Sequence, residues 1–328
     1  MRRTLARNGW TFGLAVLLVL LLVLTKLIQP DFGVSGLDSL ARAALPFALA
    51  TVGMAVVVIA GGIDLSIAAM MAVASVTAAV LMDGATDGQS VLALLAVLVL
   101  GLAMGAINGA LIVVTRVPDI VVTLAMLFVW QGVALLILNA PGGAVAPWLQ
   151  TLIVGGVTLP GIPAALTQWM PKAVLFLLVV VALVWLPIRR AKLGLMIYAI
   201  GSDQLAAYRS GVPVGLTRVA AYAICGLFAA LGGLSVTMST GIGEPIPGPY
   251  LLASVAAVVL GGVVLGGGRG GLLGPILAVF VLRLVRMDLT LLSVDPNVAA
   301  IVEGTIMVVV VMFGGLLAIR GARNDHGG

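Results

Sequence analysis

Residues 91–114 read VLALLAVLVLGLAMGAINGALIVV: 24 positions with no charge and a single strongly polar side chain, Asn108. A helix needs about 20 mainly apolar residues to cross the hydrocarbon layer, and a soluble core helix has no use for apolar side chains on every face. The segment therefore reads as a membrane span, and the rest of the chain repeats the pattern. Of 328 residues, 62% are hydrophobic and only 9% charged. So little charge cannot cover the surface of a water-soluble domain of this size. Candidate spans fall at roughly 12–29, 40–60, 63–82, 91–114, 120–138, 173–188, 216–239, 251–266, 271–287 and 298–319. The expected fold is all-α, a single polytopic transmembrane domain over 1–328 with about ten helices. Forty-two glycines suit close helix packing in lipid, where small residues let backbones approach.

The charges orient the spans. With the N-terminus in the cytoplasm, inside segments collect Arg2, Arg3, Arg7, Arg116, Arg189, Arg190, Lys192, Arg209, Arg218, Arg269, Arg320 and Arg323, most of the 17 Lys and Arg. Outside segments and nearby span ends hold Lys26, Arg42, Lys172, Arg283 and Arg286, among Asp31, Asp38, Asp83, Asp87, Glu244, Asp288 and Asp295. This asymmetry predicts both termini in the cytoplasm. It also accounts for the net charge of +5 without a nucleic-acid partner. The Arg2–Arg3 pair and the apolar run 12–24 could form a signal peptide or a twin-arginine signal. With no small-residue cleavage site and many spans following, an uncleaved first helix is the reading adopted.

Several enzyme classes find no support. Cys225 is the only cysteine and His326 the only histidine, so neither an internal disulfide nor His-based metal or triad chemistry is expected. Gly266-x-Gly268-x-x-Gly271 matches a dinucleotide fingerprint in form, but membrane spans flank it rather than a βαβ unit. No phosphate-binding loop is present, and neither cofactor nor metal is expected. Any ATP must be bound by a separate subunit.

The most informative loop is 189–215. After the basic stop at Arg189–Lys192, Asp203 stands where a helix N-cap belongs, Leu205 to Ser210 allow about two turns, and Gly211 and Pro213 end them. From periodicity alone this short cytoplasmic helix is equally an interfacial connector or a docking element. Between the second and third spans, Gly61-Gly62-Ile63-Asp64-Leu65-Ser66 allows a backbone turn, with Asp64 or Ser66 able to cap the next helix. Asn108, Thr123 and Gln131 are polar groups within spans. They can serve helix packing or line a pathway for a hydroxylated solute. Glu303 is the one acid well inside a span, which leaves pairing with Arg283 or Arg286, pathway lining, or proton coupling.

The segment Ala199-Ile200-Gly201-Ser202-Asp203-Gln204-Leu205-Ala206-Ala207-Tyr208-Arg209-Ser210-Gly211-Val212 resembles the coupling-helix region of the monosaccharide ABC-importer permeases, the ribose/xylose/galactose-type group. Gly61–Ser66, Ala106–Gly109, Arg116–Pro118, Thr123–Met126, Gly261-Gly262 and Gly266–Gly270 resemble that family's other motifs in the same order. The chain departs from the family at Asp203, often Asn; at Ala68-Ala69, often Gly-Ser; and at Gln131, often Arg. The resemblance implies an inner-membrane permease that works as a dimer, with itself or a paralogue. Its partners would be a cytoplasmic ABC ATPase and an external solute-binding protein. It implies ATPase coupling through Gly201, Ser202, Asp203, Ala206, Ala207, Arg209, Ser210 and Gly211. Gly61, Gly62, Asp64, Asn108, Thr123, Gln131 and Glu303 are the candidates for the pathway or its gate. An ion-coupled secondary transporter or a facilitator of small solutes, using Glu303 or Asp64 for ion coupling, is the alternative.

Overall fold

A computed structural model describes residues 2–158, 161–163, 167–306, 308, 309 and 312. Among them the regular elements are helices: α1 (Arg2–Ile28), α2 (Val34–Ile59), α3 (Ile67–Met82), α4 (Asp87–Thr115), α5 (Asp119–Ile137), α6 (Pro147–Gln150), α7 (Lys172–Arg190), α8 (Lys192–Ser202), α9 (Gln204–Arg209), α10 (Val214–Thr240), α11 (Tyr250–Leu260) and α12 (Leu273–Leu291). Residues 296–306 are helical as well. A helix satisfies its own backbone groups, which is what lipid demands of a spanning segment.

Six of these helices, α1, α2, α4, α5, α7 and α10, are long and apolar enough to cross a membrane. The expected ten spans are therefore approximate. The span expected at 63–82 begins only at Ile67. The span expected at 251–266 stops at Leu260. There Gly261 caps the helix, and Gly262, Gly267, Gly268 and Gly270 take positive φ, which L side chains rarely adopt. Arg283, Arg286 and Asp288 interrupt the apolar character of α12. The last expected span, 298–319, is described only in its first part, and Arg320, Arg323 and His326 lie outside the described residues.

Burial sorts the helices into layers. α2 and α10 are buried over most of their length and, with α3, form the centre. α1, α4, α5 and α7 stand around them and turn Leu20, Leu92, Phe128 and Leu183 outward. These exposed apolar side chains face lipid or another membrane subunit. The tightest joint lies between α4 and α10. A Cβ on Gly101 would fall 2.6 Å from the Gly226 carbonyl oxygen, and one on Gly109 would fall 2.8 Å from Val219 Cα. One glycine per turn lets the two backbones touch, so dispersion over a long seam holds them in the absence of any hydrophobic drive from lipid.

The loops gather at two ends. At one end, Gly142 pairs with Gly243, Ala144 N donates to Ala79 O, and Gly155 N donates to Asp38 Oδ1. At the other end stand 60–66, 116–118, 191–213 and 261–272. The α1 residue Trp10 also belongs to that end, its indole N–H donating to Leu260 O.

Candidate functional site

The second end carries the candidate site, built from two glycine-rich turns and the last turn of α8. α2 ends at Ile59, and Gly61 turns with φ +85°. The Ile59 carbonyl accepts from Gly268 N at 2.8 Å, which pins the 261–272 loop to the end of α2. The last turn of α8 enters the same junction. A Cβ on Gly201 would clash with Ile59 O and stand 2.6 Å from Gly268 N. A Cβ on Gly267 would stand 2.9 Å from Gly61 Cα. Tyr198, one turn earlier on α8, donates its hydroxyl to Gly270 O at 2.9 Å. Three backbones thus meet without side chains between them.

α9 follows directly. Asp203 caps it, its Oδ1 accepting from Ala206 N at 2.9 Å, as its position in the sequence predicts. Gly211, at φ +82°, and the Val212 N–H donating to Ala207 O close the helix. Arg218 on α10 donates to Gln204 Oε1 at 3.2 Å and braces α9 from the other side. Ala207 is buried, while Ser202, Asp203, Ala206, Arg209, Ser210 and Gly211 are exposed. Leu205 and Tyr208 are 57% and 70% exposed, so two large side chains face outward from a helix of six residues.

Beneath the junction lies a closed polar network. Asp64 is fully buried, and its Oδ1 accepts from Ser66 N and Ser66 Oγ at 2.9 and 2.7 Å. Asn108 Nδ2 on α4 donates to Ser66 Oγ at 2.7 Å, and Asn108 Oδ1 accepts from Trp130 Nε1 on α5 at 3.2 Å. Next to it, Asp119 Oδ2 accepts from Ile63 N and from the Tyr222 hydroxyl, at 3.2 and 3.1 Å. Thr123 Oγ1 accepts from Leu65 N at 3.1 Å and donates to Asp119 O at 2.7 Å. Neither Asp64 nor Ser66 caps α3, contrary to expectation. Ser66 occupies the N-cap position without a side-chain cap bond, because Asp64 and Asn108 take its hydroxyl. The sequence-predicted Gly61, Gly62, Asp64, Asn108 and Thr123 thus share one structure with Gly201. Gln131 is half-buried on α5 and outside that network. Glu303 is elsewhere, its Oε2 accepting from Arg286 Nη1 at 2.6 Å. Asp119, Trp130 and Tyr222 escaped sequence reasoning: only their convergence on the 63–66 turn marks them.

Residues 36–311 match the family described as the permease component of the branched-chain amino acid transport system. The chain belongs to this permease family. It is the membrane-spanning permease subunit of an import system of the ATP-binding-cassette class, multi-pass and without a strand among the described residues. It is 29% identical to the ribose import permease protein RbsC of Escherichia coli K12, over 92% of each chain. It is 28% identical to the autoinducer 2 import system permease protein LsrD of Escherichia coli O9:H4, over 93% of this chain and 92% of that one. No solved structure matches it. A permease subunit changes the side of its solute rather than any covalent bond.

Proposed function

We propose that this permease imports a monosaccharide or a similar small polyhydroxylated solute, driven by a cytoplasmic ABC ATPase that grips α9. One observation carries the reading: α9 presents Leu205 and Tyr208 outward, and the Gly201–Ile59–Gly268 junction joins it rigidly to the buried helix α2. A force on α9 therefore reaches the centre of the bundle through backbone contact, without passing through flexible side chains. Motion of the paired ATPases would tilt α8 and α9 and switch the bundle between its two openings, as alternating access requires. The coupling set is Gly201, Ser202, Asp203, Ala206, Ala207, Arg209, Ser210 and Gly211. The sugar class rests on the name of the ribose import permease above.

The chain acts as one domain and pairs with a second permease, itself or a paralogue. An external binding protein delivers the solute. Trp10 and α9 lie at the same end of the bundle, together with Arg116, Arg189, Arg190, Arg209, Arg218 and Arg269, which favours a cytoplasmic N-terminus. The test is gentle purification from the native membrane, followed by solute accumulation in vesicles with and without ATP. A co-purifying ATPase and ATP-dependent accumulation of D-ribose, D-xylose or D-galactose are expected. Accumulation by the chain alone without ATP would refute the proposal.

A further inference from the structure

At the end opposite α9, α3, α10 and α11 enclose a hollow of about 220 Å³ with Met71, Ser75, Val236, Thr240, Glu244 and Tyr250 on its walls. A second hollow of about 390 Å³ adjoins it, shares Val236, Thr240 and Tyr250, and adds Ser39, Arg42 and Ser239. The two share three wall residues, and the second alone falls in the roughly 300–1,000 Å³ range of small-molecule sites.

The walls are held in place. Ser75 Oγ stands 2.8 Å from Thr237 Oγ1 and accepts from Glu244 N at 3.1 Å, which fixes the 241–249 loop over the hollow. The ring of Tyr250 rests against Phe47 with centroids 4.6 Å apart, and Phe47 in turn carries the Arg283 guanidinium over its face.

The polar groups left over decide what fits. Ser239 Oγ is buried and has no hydrogen-bond partner among the described residues, a state that costs about 1–3 kcal/mol unless something fills it. The charges on the walls are Glu244 and Arg42. Arg42 donates its Nε to Asp38 Oδ2 at 2.9 Å, while the Glu244 carboxylate has no partner among the described residues. A free carboxylate accepts hydroxyl protons and repels anions. A tyrosine ring offers a face to the C–H side of a sugar.

We propose that this hollow is a solute site for neutral polyhydroxylated molecules, with Glu244, Ser239, Thr240 and Tyr250 as its contacts and Glu244 as its anion filter. The proposal rests on the reading of the chain as a solute permease and adds where, and by which groups, the solute is held.

The chain suits a thiol-labelling test, because its one cysteine, Cys225, is fully buried. The full chain carrying Thr240→Cys, or Ile246→Cys as a second reporter on the same wall, is treated in the membrane. The reagents are a trimethylammonium and a sulfonate methanethiosulfonate; each leaves a mixed disulfide on the thiol and releases methanesulfinate. The cationic reagent should react on the order of tenfold faster, and Glu244→Gln should abolish that preference. D-ribose, D-xylose or D-galactose should slow labelling. Ser239→Ala should raise the sugar concentration needed severalfold.

Equal rates for the two reagents, no labelling at either reporter, or no protection by any of the three sugars would overturn the site. Protection by L-leucine or D-ribose 5-phosphate equal to that by sugar would overturn its solute class. Unaltered protection in Ser239→Ala would remove that residue from it. If labelling behaves as expected but ATP-dependent accumulation fails, the import reading falls and the site stands.

Discussion

Replacing Gly201 by alanine should weaken the fold and loosen α9 from the bundle, although alanine is the better helix former. Gly201 lies in the last turn of α8, where the change gains up to about 1 kcal/mol of helix propensity. Against this, the new Cβ clashes with Ile59 O and stands 2.6 Å from Gly268 N. Both atoms belong to backbone, so no flexible side chain can yield. Opening the nitrogen contact to ordinary separation takes about 0.8 Å, and overpacking of that kind costs typically 1–3 kcal/mol. The same displacement stretches the 2.8 Å Gly268 N–Ile59 O bond, worth roughly 1 kcal/mol. The net expectation is a loss of about 1–3 kcal/mol. Gly132→Ala on α5 is the control, since nothing lies within 4 Å of its added Cβ. Thermal unfolding in detergent compares the two, and ATP hydrolysis per solute moved in vesicles reads the linkage. Gly201→Ala should melt below the parent and hydrolyse more ATP per solute, while Gly132→Ala should melt at or above the parent. A Gly201→Ala protein with unchanged melting and stoichiometry would refute the idea that this contact transmits force.

Asp203→Ala removes the α9 cap, worth about 1 kcal/mol, and should cut recovery of the ATPase on purification, while Asp203→Asn should retain it. Asn108→Ala strips partners from Ser66 and Trp130 at once and should cost about 2–4 kcal/mol in detergent unfolding; Asn108→Ser should be intermediate. Glu303→Gln should leave the pH profile of transport unchanged, because Glu303 is tied to Arg286. Glu303→Ala should lower stability on the order of 1–3 kcal/mol, and a shifted profile in Glu303→Gln would show that the acid moves protons.

The spans were legible because lipid leaves no choice: 91–114 must be apolar on every face, and α4 covers it. The α9 boundaries were legible for a local reason, since Asp203, Gly211 and Pro213 act within a few residues of themselves. The role of Asp64 was not. A cap and a buried network node call for the same residue type, and what decides between them is Asn108, 44 positions away on another helix. The break after Leu260 was visible as glycines, but its purpose depends on Ile59 and Gly201. The solute hollow was hidden for the opposite reason. Thr240, Ser239 and Tyr250 are ordinary residues at the ends of apolar helices, and only the fold leaves Ser239 without a partner.

Trp10 finds its acceptor 250 residues downstream at Leu260, and Thr25 donates to Asp288, 263 residues downstream. α1 packs chiefly on α12. Chains grow at about 5–20 residues per second, so α1 waits on the order of tens of seconds for the surface it docks on. During that interval it must persist in the bilayer alone, which its outward-facing Phe12, Leu20 and Leu27 allow. A nascent chain arrested before Asp288 therefore leaves α1 without the helix it packs on.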